Sequence, residues 1–228
     1  MSPNARITFG LLVLWVVSPT HLFGQSDLAA LRAQAENGSQ TAQFELAGLY
    51  ARGEQGLTQD LETAADWFRQ SASQGHAQAQ LTIGVYYLLG QGVAQDHAEA
   101  VRWLRLAGEQ DNVFALNNLG VIYQGVPEPF QTAQPVPVNH AESILFFRRA
   151  AALGHGVSAI NLGMKYRDGD GVDRDAAEAF RWYLRAAELG EVTALGEVGA
   201  MYAGGNGVEQ DDVEAYRWLE LATMHMAG

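Results

Sequence analysis

Along most of the chain, apolar and small residues recur at helical spacing. Ala42, Leu46, Ala47 and Tyr50 stand at i, i+4, i+5 and i+8, one face of a helix and not the alternation of a strand. The set returns along the sequence. An aliphatic residue (Leu46, Ile83, Leu119, Leu162, Val198) precedes a small one (Ala47, Gly84, Gly120, Gly163, Gly199), and a tyrosine closes each copy (Tyr50, Tyr87, Tyr123, Tyr166, Tyr202). The small residue leaves room for a neighbouring helix to approach. A second helical pattern follows each tyrosine, with Ala100, Trp103, Leu104 and Ala107 on one face. One large aromatic recurs there (Trp67, Trp103, Phe146, Trp182, Trp218), which is read as core and not as a ligand-stacking set. Successive tyrosines lie 37, 36, 43 and 36 residues apart. Each period predicts two helices, and the seven extra residues fall in the proline-rich segment 126–138 (VPEPFQTAQPVPV).

Between the two helices runs Gly-x-Gly-Val, at 90–93, 169–172 and 205–208, with a degenerate copy at 53–57. A glycine-rich loop that opens a helix can cradle a phosphate, but such a loop follows a strand and usually occurs once. This one follows a helix and recurs, so it is read as a turn. Gly90 is expected to end one helix in a left-handed conformation, Gly92 to help the chain turn, and Val93 to anchor it. The next helix starts at an acidic or amide cap with Glu three residues on: Asp96–Glu99, Asn139–Glu142, Asp175–Glu178 and Asp211–Glu214. This is capping-box spacing, in which the Glu would reach back to the cap amide. Asp60 keeps the cap but has Thr63 in the Glu position.

A helix pair of this size cannot bury both faces alone, so the copies must stack on one another. Residues 27–36 read as a leading helix that covers the first copy. No polar helix follows 219–226, which predicts an apolar end face and weak self-association there.

Composition narrows the functional classes. Apolar residues make up 48% of 228, which excludes a disordered composition, and the formal net charge is -12. That charge argues against nucleic acid and against docking on anionic lipid. Residues 1–24 have the layout of a cleaved signal peptide: a short positive segment, the apolar run 7–17, and an exit ending at Gly24. An uncleaved anchor is the alternative. The expected location is periplasmic or extracellular. With no cysteine, the chain forms no disulfide and carries no lipid-modified cysteine.

The whole pattern resembles the Sel1-like repeat, a relative of the tetratricopeptide repeat. The fullest copy holds Ser158, Leu162, Gly163, Tyr166, Gly169, Gly171, Val172, Asp175, Glu178, Ala179, Trp182, Tyr183, Ala186, Ala187 and Gly190. The resemblance implies an all-α, right-handed α/α superhelical solenoid of about five helix-turn-helix repeats plus an N-terminal helix. The divisions expected are a signal peptide (1–24), a capping half-repeat (25–37) and repeats at 38–74, 75–110, 111–153, 154–189 and 190–228. It also implies a non-catalytic scaffold that binds a protein or peptide, in envelope signalling or at a host surface. Some cysteine-rich relatives are described as β-lactamases, but those carry a disulfide in each repeat. Binding of cell-wall glycan or peptidoglycan is the other alternative.

The residues give little support to an enzyme. The only lysine, Lys165, has Leu162 three before it, so no Ser-x-x-Lys exists, and no His-Glu-x-x-His or Gly-x-Ser-x-Gly occurs. His76, His97, His140, His155 and His225 are scattered, are read as repeat-surface residues, and make no metal set. The acidic stretch 168–175 superficially resembles a calcium loop, but counting from Asp168 puts Asp173 and Ala179 where glycine and Glu belong. No cofactor is expected. In a solenoid of this kind the first helices line the concave face. That face reads as largely apolar, with a polar patch of Asn117, Asn118, Gln124, Asn161, Lys165 and Arg167. Amide and guanidinium groups of this kind can clamp an extended peptide or a carboxylate. Asn118 and Asn161 are also ordinary residues of the resembled repeat and can serve the adjacent turn.

Overall fold

The computed structural model describes residues 25–126 and 135–226. The expected signal peptide and most of the proline-rich segment lie outside the described residues. Among the described residues every regular element is a helix. The chain divides into two compact units, one up to Pro137 and one from Val138. The first holds α1 (Gln25–Glu36), α2 (Gln40–Arg52), α3 (Leu61–Ser73), α4 (Ala77–Leu89), α5 (His97–Glu109) and α6 (Val113–Gln124). The second holds α7 (His140–Ala152), α8 (Gly156–Asp168), α9 (Ala176–Glu188), α10 (Val192–Gly204) and α11 (Asp212–Met226). Within each unit sequential helices pack on one another, so each is a stack of paired helices.

The glycine turn is built as its spacing predicts. Gly90 ends α4 at φ 69°, and Gly53, Gly169 and Gly205 end α2, α8 and α10 in the same left-handed region. The second glycine does more than turn the chain. Gly92 has φ 64°, and a side chain there would collide with the Leu61 carbonyl at the start of α3. Gly207 stands in the same way over the Ala176 carbonyl at the start of α9. The turn of one repeat is therefore seated on the second helix of the repeat before it.

The caps are present, but the box is half formed. Asp96 accepts from the amides of Ala98 and Glu99 at 2.9 and 3.0 Å, and Asp175 from Glu178 at 2.9 Å. At Asp96 and Asp175 the reciprocal bond gives way to another: the cap's own amide donates to the tyrosine carbonyl of the preceding helix, Asp96 to Tyr87 and Asp175 to Tyr166, both 2.9 Å. That carbonyl is one of the unsatisfied groups of a helix end, so one bond closes both helix termini. Freed from the box, Glu99 and Glu178 pair with Arg102 and Arg181 at 2.9 and 3.0 Å. Asp175→Ala is expected to cost about 1 kcal/mol in urea unfolding. Glu178→Ala should cost less, about the 0.3–0.5 kcal/mol of an exposed helix ion pair.

The first helices carry caps that the sequence reading missed. Ser39, His76, Asn112 and His155, each eleven residues before a tyrosine, cap α2, α4, α6 and α8. This corrects the placement of His76 and His155 as plain surface residues. Their Nδ1 atoms accept the amides of Ala79 and Ser158 at 3.1 and 3.2 Å. An accepting nitrogen carries no proton, and burial holds both histidines below the usual imidazole range. Because the folded value is depressed, this contribution is full above the unfolded value of about 6.5 and is lost as pH falls below it. Hydrogen exchange of the Ala79 and Ser158 amides, corrected for intrinsic rate, should therefore accelerate between pH 7 and pH 5. His155→Asn, which caps without titrating, should abolish that acceleration at Ser158. His97 also departs from the surface reading, since it is buried at the start of α5.

The core includes the expected aromatic but is deepest one position beyond it. Trp103 and Phe146 are buried, but Trp67, Trp182 and Trp218 are only partly so. The deepest side chains come one residue later: Phe68, Leu104, Phe147 and Tyr183, each no more than 1% exposed. The cause is the small residue of the first helix. A Cβ on Gly84 would lie 2.9 Å from Leu104, and one on Gly163 would lie 2.9 Å from the Tyr183 ring. The second helix presses that following residue, not the tryptophan, into the notch. In the first unit Phe68 packs against Phe44 and edge-on to Tyr86, with ring centroids 5.5 and 5.4 Å apart.

Polar ties also cross between repeats. Buried Gln43 and Gln80 donate to the Ala35 and Ala72 carbonyls of the preceding helix, at 3.0 and 3.1 Å. Gln74 and Gln110 then donate to Gln43 and Gln80. The repeat tyrosines Tyr50 and Tyr123 accept from arginines eighteen residues earlier, Arg32 and Arg105, at 3.4 and 2.9 Å, and Tyr166 accepts from Arg148 in the same way. No helix of the described residues is long and apolar enough to cross a membrane.

Candidate binding surface

The first unit places Asn117, Asn118 and Gln124 on α6, and the second places Asn161, Lys165 and Arg167 on α8. Four of these six residues are buried: Asn117, Asn118, Asn161 and Lys165. Gln124 is half-buried and Arg167 exposed. Lys165 crosses the turn after α8 to reach Asp170 at 2.8 Å, and Asp170 also lies 3.2 Å from His140 Nδ1. Asp168 takes a two-point fork from Arg167, at 2.8 and 3.0 Å. Two of the carboxylates that suggested a calcium loop are thus engaged by the chain's own side chains. Among the described residues no group of three His, Asp or Glu side chains is placed to hold a metal ion.

Arg167 also reaches from α8 to Glu197 of α10, Nη1 to Oε2 3.6 Å, and so ties neighbouring first helices across the exposed face of the second unit. Beneath them lies Tyr183 of α9, fully buried against Gly163. Its hydroxyl is sealed from solvent and meets no group at strict hydrogen-bonding geometry, but the Arg167 guanidinium lies against it close enough to act as a weak donor, with Glu197 and Asp168 nearby. Burial, first, pushes the Tyr183 phenol well above its ordinary range. The fork from Arg167 holds the Asp168 carboxyl below the usual range, and the same hydrogen bond raises Arg167. The sequence reading found Arg167 but not Glu197 or Tyr183. Glu197 stands at the repeat position of Asn118 and Asn161, and that shared position was the available signal.

A cavity of about 630 Å³ opens beside the first glycine turn. Its lining includes Asp60, Glu62 and Gly92. Two carboxylates in its lining repel a phosphate, which agrees with reading the Gly-x-Gly loop as a turn.

Stacked helix pairs with recurring turns, caps and notches define a helical-repeat protein of the tetratricopeptide-like kind. The Sel1 repeat model matches residues 40–76, 77–112, 113–155, 156–191 and 193–225. The chain belongs to the Sel1 repeat family. Among solved structures it is similar to a protective antigen present in uropathogenic Escherichia coli strains that displays an SLR fold. The identity is 38% and the TM-score 0.78, over 87% of this chain and 41% of the antigen. The chain thus spans less than half the length of that relative. It is also similar to a Sel1 repeat protein from Oxalobacter formigenes, with 28% identity and a TM-score of 0.72, covering 88% of this chain and 76% of that one. An immunity protein from Pseudomonas aeruginosa, 18% identical at a TM-score of 0.51 over 92% and 77% of the two chains, shares the fold alone. No curated protein matches the chain.

Proposed function

We propose that the chain is a non-catalytic scaffold that binds a protein or peptide partner outside the cytoplasm. The observation that carries the reading is where the polar residues go. Turns, caps and notches absorb the motifs that resemble active-site signatures, while Arg167 stays exposed and Glu197 half-exposed on first helices. Gln124 offers a second polar contact on the first unit; Asn117, Asn118, Asn161 and Lys165 lie beneath these surfaces and set their shape. The antigen role of the Escherichia coli relative and the targeting layout of residues 1–24 support a location outside the cytoplasm. The role of that segment and the type of partner, in envelope signalling or at a host surface, are part of the same proposal.

Affinity capture of the tagged full chain, with chemical crosslinking in its native envelope fraction, tests this. A protein or peptide recovered in stoichiometric amount is the expected result. Recovery of glycan alone, or turnover of a β-lactam by the purified chain, would overturn it.

Weak self-association is a second reading, favoured by α11. Val213, Tyr216, Leu219, Leu221 and Met224 are all exposed on that helix. On α9 the position of Tyr216 is Phe180, which is buried edge-on against Tyr202 at 5.2 Å. A second copy of the chain would cover these side chains. Sedimentation velocity should show a concentration-dependent dimer that Tyr216→Lys removes; a concentration-independent monomer would refute it.

A further inference from the structure

The corner formed by Arg167, Asp168, Glu197 and Tyr183 has a definite chemical preference. Asp168 and Glu197 bring two carboxylates against one guanidinium, and all three side chains are roughly half exposed. The balance of the whole unit points the same way, with fourteen acidic residues against eight basic ones from Val138 onward. Arg167 is held tightly by Asp168 at two points and only loosely by Glu197 at 3.6 Å, so Glu197 keeps most of its accepting capacity. The Tyr183 hydroxyl, sealed from solvent below the corner and without a partner at strict hydrogen-bonding geometry, lies against the Arg167 guanidinium. There is room above: a side chain on Gly196 would meet nothing within 4 Å, and Ala200 and Ala203 are exposed on the same helix.

We propose that this corner receives an arginine or lysine side chain of an extended partner segment, which makes the second unit a docking surface for a basic peptide. The inference rests on the scaffold reading and specifies its partner. A cationic side chain is donor-only, with five N–H groups on Arg and three on Lys. It suits a site whose accessible groups are carboxylates. Charge-assisted hydrogen bonds of this kind are roughly twice as strong as neutral ones. The chain already demonstrates the preference by placing its own Arg167 there. A guest bonded to Glu197 would lie alongside Arg167, which stays on its fork with Asp168. A guest carboxylate would face both Asp168 and Glu197, and like charges across an interface reject a partner.

Fluorescence polarisation with the full chain tests this, using three labelled peptides of one glycine- and leucine-containing frame with a central Arg, Gln or Glu. The Arg peptide should bind at least tenfold more tightly than the Gln peptide, with the Glu peptide weakest, and the preference should shrink as salt rises. Glu197→Gln should abolish most of the preference while the affinity of the Gln peptide stays unchanged. Equal affinities, absence of binding by all three peptides, or a preference intact in Glu197→Gln would overturn the proposal. A captured protein that contacts α8 and α10 through its own acidic residues would also overturn it, and would leave the scaffold reading standing.

Discussion

Gly92→Ala is expected to lower stability by roughly 3–5 kcal/mol, at the upper end of single-residue effects. Two costs add. The residue sits at φ 64°, where an L side chain is strained by about 1–2 kcal/mol. The new methyl must also displace backbone, the Leu61 carbonyl that begins α3, and not the end of a flexible side chain. Gly38→Ala separates the two terms. Its φ is 91°, yet a Cβ there meets nothing within 4 Å, so only the conformational cost applies. Urea unfolding of both variants measures the difference. Equal losses would show that the turn gives way easily and that its seat on the preceding repeat contributes nothing.

Phe68→Ala should cost roughly 3–5 kcal/mol, the range for a fully buried phenylalanine. Trp67→Ala should cost clearly less, although tryptophan is larger and is the residue that recurs in the sequence. Phe68 is 1% exposed and packs against both Phe44 and Tyr86; Trp67 lies at the margin of the core. Thermal unfolding of the pair checks the order. A larger loss at Trp67 would place the core where the repeated aromatic suggests, and not in the notch beside the small residue.

These two results mark what a single sequence makes legible. Helix pairs, turn glycines and second-helix caps follow from spacing, because each depends on a few neighbouring residues. Leu46 to Tyr50, Gly90 and Asp96 follow from spacing alone. What was not legible depends on contacts between repeats. Nothing in Gly-x-Gly says that the second glycine rests on a carbonyl some thirty residues earlier. The spacing of Asp175 and Glu178 suggests a reciprocal box, but the Tyr166 carbonyl competes for the cap amide and takes it. His76 and His155 looked incidental because a histidine cap is uncommon; their shared offset from the tyrosines was the missed clue.

The candidate surface divides in the same way. Asn117, Asn118, Gln124, Asn161, Lys165 and Arg167 are polar residues on first helices, but polarity does not reveal burial, and four of these six are inside. Lys165 shows why: its ammonium is drawn to Asp170 across a turn whose course the sequence does not display. Arg167 stays outside because Asp168 and Glu197 hold it there. Its surroundings then reverse the expected chemistry. A lone guanidinium invites a carboxylate, whereas one already flanked by two carboxylates invites another cation.

The central claim is that the repeats present the exposed face of their first helices to a partner. A photo-crosslinking residue placed in the full chain tests it most directly, once at Ala200 on α10 and once at Arg181 on α9, both exposed positions. With the captured partner present, crosslinks from position 200 and none from position 181 are the predicted result. Crosslinks from position 181 alone would contradict the account and move the binding surface to the second helices.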